Sequence, residues 1–331
     1  MLNQYNIVKQ LAKGLLLFAL CISSSPSLAA NAKAFQIAAP KKATVDCQRT
    51  NGDIQISFWN KKSLQIRSAS GKGPLHFQVI QRSGWLFIKD KPFNEETWHL
   101  TLPKGANVRL KTINGSIKVA AGAGNVEART VDGSISIQKA KGPVFAKTVN
   151  GAITIEKTNQ VTVSTATGQI LMSHITGYAQ IKGVNSKIQL SQVNANRIKV
   201  KNINGSVFLR AIKAHLIEVR TFNGQISVQK LLSAPSQVHL RSFAGGIRMS
   251  WPQNKGVHVS MRTFSGGMQI PNGLNVLQKK MSKLFGYYGK KPRAQLIMRT
   301  FSGGLTLTIQ KQIKGTTSQK TPKKTKGPKK R

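Results

Sequence analysis

The fold predicted for this chain is all-β, a single-stack parallel β-solenoid of about 10 coils, each 18–21 residues long. Three observations predict it. Similar segments recur from residue 108 onward: LKTINGSIKV (110–119), ARTVDGSISI (128–137), AKTVNGAITI (146–155), VSTATGQILM (163–172), VKNINGSVFL (200–209), VRTFNGQISV (219–228), LRSFAGGIRM (240–249), MRTFSGGMQI (261–270) and MRTFSGGLTL (298–307), with IKGVNSKIQL (181–190) a degenerate copy carrying Ser186 at the glycine position. Within a copy, apolar and polar residues alternate on both sides of the glycine, which is the signature of two short strands with one buried face each. The same residue types also return at the same offset. Leu110, Ala128, Ala146, Val163, Ile181, Val200, Val219, Leu240, Met261 and Met298 would form one internal column, and Ile117, Ile135, Ile153, Ile170, Ile188, Val207, Ile226, Ile247, Met268 and Leu305 a second. Column-keeping of this kind favours coils in which each strand stacks on its counterpart in the next. The competing reading is an antiparallel meander, because Asn-Gly and Asp-Gly pairs also mark tight hairpins.

Taken in order, residues 1–29 read as a secretory signal. Lys9 and Lys13 precede the short apolar run 15–22, and Ala29 follows Ser27-Leu28, which suits cleavage after Ala29. The run is too short for an ordinary membrane span. Export is therefore expected, to the periplasm, the outer membrane or beyond. Cys21 follows a bulky Leu20, which argues against a lipid anchor, and cleavage leaves Cys47 as the single cysteine, expected as a small buried apolar residue. Residues 30–43 read as a linker. Residues 44–100, with one recognisable copy at 49–56 and with Trp59, Trp85 and Trp98, are expected to cap the open N-terminal end, since an exposed final coil would template aggregation. The repeats proper occupy 101–310. Thr112, Thr130, Thr148, Thr165, Thr221, Thr263 and Thr300 recur just before the glycine and suit a hydroxyl ladder at a corner. In the insertion at 271–293, Leu277, Met281, Leu284, Phe285 and Tyr288 follow helical spacing with Lys279, Lys280 and Lys283 opposite, which predicts a basic amphipathic helix. Lys279, Lys280, Lys283, Leu284 and Phe285 would then either face an anionic membrane or pack on the solenoid. Residues 311–331 hold nine basic residues and two prolines without an aromatic, the composition of a disordered electrostatic tether.

Charge narrows the partner. The 331 residues carry 51 Lys+Arg against 9 Asp+Glu, a formal +42, and the last acidic side chain is Glu218. Stacking would set Lys111, Arg129, Lys147, Lys182, Lys201, Arg220, Arg241, Arg262 and Arg299 in one outward file broken by Ser164. At a strand spacing of about 4.8 Å, two like charges repel by roughly 0.9 kcal/mol in water before salt screening. A bound linear polyanion would relieve that repulsion and release counterions. Solvated cations splayed over the strand edges are the bland reading. In the late repeats each arginine precedes an aromatic by two residues: Phe222, Phe243, Phe264 and Phe301. These rings would stack as a ladder where earlier copies place Ile113, Val131, Val149 and Ile203, or, if exposed, offer a surface to bases or sugars.

The run WHLTLPKGANVRLKTINGSIKV (98–119), an amphipathic strand, a Leu-Pro-Lys-Gly turn and repeats of the form T-x-[ND]-G-x-I-x-[VI], resembles the bacterial "putative adhesin" domain family of unknown function over about residues 44–310. The resemblance implies exported or membrane-anchored β-solenoid domains and supplies no catalytic residues.

Catalytic chemistry finds little support in the residues. His76, His99, His174, His215, His239 and His258 fall in different copies without metal-ligand spacing. Glu127 and Glu218 each precede a file arginine by two residues and read as its local charge partners, while Asp132 suits its Asp-Gly turn. No enzyme activity, cofactor or metal is expected. The function expected is binding of an extended polyanion along the file, whether lipopolysaccharide, anionic cell-wall polymer, glycosaminoglycan or extracellular DNA, with an anionic membrane surface and other nucleic acids also among the candidate partners. A structural or adhesin-like envelope protein with protein partners is the alternative, and a β-helical polysaccharide-acting enzyme the minor one.

Overall fold

Alternating burial turns each repeat into two strands whose partners lie in neighbouring coils. In the computed structural model, which describes residues 34–40, 42–68, 77–90 and 96–310, there are 23 strands and no helix among the described residues. The signal segment 1–29, residues 30–33 and 41 of the linker and the tail 311–331 lie outside the described residues. The chain divides into two compact units, Met1–Ile188 and Gln189–Arg331, each taken by itself below.

In the first unit, strand Asn107–Lys111 points Val108 and Leu110 inward, and strand Ile117–Val119 does the same with Ile117 and Val119. Parallel pairing sets Leu110 beside Ala128, Ala128 beside Ala146, and Ala146 beside Val163; across the corner Ile117 pairs with Ile135 and Ile135 with Ile153. The strands flanking a glycine thus pair with their counterparts in adjacent coils and not with each other, which is a solenoid and not a meander. Ala106, Ala123, Ala140, Thr158 and Ile175 form a further buried column on the return segment. Lys139, Lys157 and His174 have left-handed backbones with φ of 46°, 57° and 55°, marking the bend into it. Cys47 is buried, in register with Leu110 and Ile88.

Stacking order departs from chain order at the start of this unit. Strand Thr44–Gln48 lies between Trp85–Asp90 and Asn107–Lys111, and Ile54–Trp59 lies between Trp98–Pro103 and Ile117–Val119, all parallel. Antiparallel strands then flank the outermost coil: Phe77–Arg82 on Trp85–Asp90, and Ser63–Ser68 on Trp98–Pro103 with Ala34–Ala38 beyond it. The fully buried Trp98 anchors this end, with Phe77 edge-on at 5.6 Å and the Arg49 guanidinium 4.1 Å from its centroid.

The corner explains the repeat motif. Thr130 Oγ1 donates to Gly115 O (2.9 Å) and lies 3.3 Å from Ile113 O; Thr148 reaches Gly133 O and Val131 O in the same way, at 3.1 and 3.3 Å. The amides stack as well, Asn114 Nδ2 donating to Asn51 Oδ1 (2.9 Å) and Asn150 Nδ2 to Asp132 Oδ1 (2.7 Å). Asp132 is therefore a rung of the turn ladder. Because each hydroxyl ties two coils, Thr148→Val should lower the stability of the fold by about 1 kcal/mol, read from urea denaturation.

In the second unit, strand Val207–Asn223 pairs with Ile226–Leu231 and Gln237–Ala244. Chain order fails here too. Strand Ala294–Ser302 sits between Gln237–Ala244 and Val257–Ser265, and Leu305–Gln310 sits between Ile247–Pro252 and Met268–Gln269. The last coil in sequence is inserted one place in from the end.

The helix expected over 271–293 is replaced by a β-hairpin. Strand Lys283–Tyr288 pairs antiparallel with Val257–Ser265, and Leu274–Lys280 pairs antiparallel with Lys283–Tyr288. The edge of Val257–Ser265 offers unpaired N–H and C=O groups that a strand satisfies and a helix would leave bare. Phe285, Tyr287 and Tyr288 favour a strand, while Gly286 weakens a helix. Gly286 also allows the two hairpin strands to close, since a Cβ there would stand 2.5 Å from Asn275 O.

Candidate functional site

The outward face of the strands before the corner carries the charge. In the first unit Lys111, Arg129 and Lys147 occupy consecutive register positions and Ser164 follows, as expected. In the other direction Gln48 lies beside Lys111 and Lys89 beside Gln48, so Lys89 belongs to the same row. Nothing in the repeat pattern points to Lys89, because its segment lies outside the copies. Lys182 lies in the long strand Ile153–Lys201.

The first unit neutralises part of its own file. Glu127 accepts from Arg109 Nε at 3.0 Å and lies 2.7 Å from Arg129 Nη2, while the buried Asp46 lies 3.7 Å from Arg109. Arg109 and Arg129 also lie over the rings of Trp85 and Phe145, at 5.4 and 4.9 Å. Beside this network runs an open groove of about 390 Å³ lined by Trp85, Asn107, Asn125, Glu127 and Phe145 among others. Its carboxylate is pinned between two guanidiniums and its ring faces are covered by them.

The second unit leaves its file bare. Arg220, Arg241, Arg299 and Arg262 follow one another in register, in that spatial order, and Asn202 N donating to Arg220 O sets Lys201 in the adjoining coil. The order implied by the sequence, with Arg262 next to Arg241, is corrected by the inserted coil. The hairpin then extends the row, because Lys283 pairs with Arg262 and Lys280 with Lys283. Two sets of cations that look separate in the sequence share one line. Glu218 serves the near end, 2.7 Å from Arg220 and 3.6 Å from Arg197. Burial tends to raise the Glu218 carboxyl, but the Arg220, Lys199 and Arg197 charges outweigh this and hold it below its ordinary value. Among the described residues no carboxylate pairs with Arg241, Arg299, Arg262, Lys283 or Lys280. The Arg241 Nε is buried without a hydrogen-bond partner. His239 lies between Glu218 and Ile297 in the next row. Its imidazole is held below the usual 6.5 by burial first, then by Arg241, with Arg220 and Arg299 adding to this and Glu218 opposing it.

An apolar ridge runs beside the cations, two residues on. Ile113, Val131, Val149 and Val184 are exposed on the first unit, and Ile203, Phe222, Phe243, Phe301 and Phe264 on the second. The four rings form the expected ladder, with centroids 4.6, 5.0 and 4.8 Å apart and planes within 4° of parallel. They are exposed as well, 44 to 50% for the inner three and 75% for Phe264. Spacing this close leaves no slot for a base between rings. Of the hairpin residues that would either face a membrane or pack on the solenoid, Leu284 is buried in the core opposite Met261 and Phe285 is half-buried under Lys283 Nζ, 4.5 Å away. Leu277 and Met281 are the exposed apolar residues instead. Among the described residues no three His, Cys, Asp or Glu side chains gather as metal ligands.

A search of curated proteins returns no match. Among solved structures, a putative cell adhesion protein from Clostridium sporogenes is similar at 9% identity and a TM-score of 0.20, covering 84% of this chain and 99% of its own. A putative adhesin from Bacteroides fragilis is similar at 12% identity and a TM-score of 0.31, covering 83% and 95%. The Toastrack DUF4097 family matches residues 36–308, and the chain belongs to that family.

Proposed function

We propose that this protein is an exported, non-enzymatic β-solenoid that binds an extended polyanion along its outward cation file. The observation that carries the reading is the run Arg220, Arg241, Arg299, Arg262, Lys283 and Lys280 in consecutive register, with a carboxylate partner for the first alone among the described residues. Six like charges at a spacing of about 4.8 Å suit a ligand with repeated phosphate, sulfate or carboxylate groups, which guanidiniums take bidentately. Lipopolysaccharide, anionic cell-wall polymer, glycosaminoglycan and extracellular DNA share that chemistry. The signal-like segment 1–29 supports an exported setting, and the nine basic residues of 311–331 would raise association rate and avidity. The pinned Glu127 and the dispersed histidines support a binding role over a catalytic one.

His239 provides the test. Its depressed imidazole value means that the unfolded chain takes up this proton at higher pH than the folded one. Its contribution to stability is therefore present above 6.5 and falls away as the pH drops below that value. A polyanion seated on Arg241 and Arg299 reverses the local potential and raises the imidazole value. Titrating the full chain with heparin, followed by NMR of the His239 ring, should show its midpoint moving upward and affinity rising as pH falls through the range in which His239 takes up its proton. A His239 midpoint unmoved at saturating heparin, with shifts confined to the tail lysines, would reject the file as the site.

A further inference from the structure

The file and the ridge of the second unit end together on the hairpin. Thr263 N donates to Ser282 O at 3.0 Å and Arg262 pairs with Lys283, so the antiparallel register brings the turn residue Met281 opposite Phe264. Met281 is fully exposed and Phe264 is three-quarters exposed. The result is a strip of two parallel lines. One is Arg220, Arg241, Arg299, Arg262, Lys283 and Lys280; the other is Phe222, Phe243, Phe301, Phe264 and Met281. Six register positions at about 4.8 Å span about 24 Å. Residues 219–331 contain no acidic side chain to repel an anionic surface.

A soluble polyanion uses the first line and leaves the second in water. One ligand chemistry uses both: phosphate groups at the edge of an apolar layer. Arginine and lysine would meet the headgroups while the ring edges and the Met281 thioether enter the acyl boundary beside them. We infer that the polyanion taken by this strip is the anionic lipid surface of a membrane, on which the second unit docks by this edge. The inference rests on the polyanion reading above and narrows its ligand. Stacking of the rings supports it, because a preformed ladder presents its edges with little further ordering on contact.

The test uses the full chain against two probes, vesicles of phosphatidylglycerol in phosphatidylcholine and soluble heparin, with phosphatidylcholine vesicles as the uncharged control. In a Phe264→Thr and Met281→Thr double variant, affinity for the anionic vesicles should fall roughly tenfold or more while heparin affinity stays within about twofold. Both side chains are exposed, so an unchanged circular dichroism spectrum is expected. A Phe264→Trp variant provides a second reading, with its added indole fluorescence quenched by brominated acyl chains in anionic vesicles. Vesicle affinity unaltered in the folded double variant, or an indole in the Phe264→Trp variant that brominated lipid leaves unquenched, would overturn the lipid assignment and leave the polyanion reading standing. An equal loss of heparin and vesicle affinity would overturn it in favour of a polymer held by the ridge itself. Wild-type protein that binds neither heparin nor anionic vesicles would remove both readings.

Discussion

Gly133→Ala should destabilise the first unit by about 3 kcal/mol or more, the largest effect expected from any single methyl group in this chain. Gly133 has φ of +155°, and a Cβ there would stand 2.0 Å from Gly115 O and 2.5 Å from Gly115 C. Neither backbone can withdraw freely, since Gly133 N donates to Asn150 O at 2.9 Å and Gly115 N to Asp132 O at 2.8 Å. The same clash recurs up the corner. A Cβ on Gly151 would meet Gly133 O at 2.1 Å, and in the second unit one on Gly224 would meet Gly205 O at 2.2 Å. The glycine column is thus a clearance requirement between stacked coils as well as a turn preference. Gly267 supplies the control: its backbone is not left-handed and a Cβ there meets nothing within 4 Å, so Gly267→Ala should change stability by less than about 0.5 kcal/mol. Urea denaturation separates the two, and equal midpoints would refute the steric account. Ser186 shows how the column can lapse. It occupies the glycine position without a left-handed backbone, within the continuous strand Ile153–Lys201.

This contrast also indicates what could be read in the sequence. Coils, corner and internal columns were legible because each depends on residue type at a fixed offset, and Thr130, Thr148 and Gly133 recur for reasons local to one corner. The pairing of Glu127 with Arg129 and of Glu218 with Arg220 was legible because two residues separate them on one strand face. The return-segment column was missed, since Ala123, Ala140, Thr158 and Ile175 share burial and little else. Stacking order at the ends could not be read at all. Whether Met298 or Met261 lies next to Leu240 is a choice between nearly identical strands, decided by non-local pairing. The hairpin was misread for a related reason. Leu277, Met281, Leu284 and Phe285 fit helical spacing, but the open edge of Val257–Ser265 is invisible to a local pattern. That edge also decides the candidate site, because it carries Lys283 and Lys280 into line with Arg262.

The other large effect concerns the charge. Replacing Arg220, Arg241, Arg262 and Arg299 with Gln removes four adjacent cations while keeping much of the side-chain length and a polar amide end. Each phosphate-type contact releases about 0.7 to 0.9 counterions, so losing four should flatten the slope of log affinity against log salt by roughly three. At near-physiological salt this corresponds to a loss on the order of a hundredfold or more for a linear polyanion. Stability should hold or improve, since like charges opposed on neighbouring strands repel in the free protein. Arg241 has its Nε buried without a partner, so its replacement removes an unsatisfied donor as well. Among the four, Arg220 carries the one ion pair, with Glu218, and Arg220→Gln alone should have the smallest effect on binding.

The salt dependence of heparin affinity, measured side by side for the full wild-type chain and the four-arginine variant, tests the central claim most directly. A steep wild-type slope that flattens by about three in a variant of unchanged or higher denaturation midpoint is the result predicted here. Parallel slopes for the two folded proteins would contradict it, and would assign the charge-dependent binding to cations outside the file.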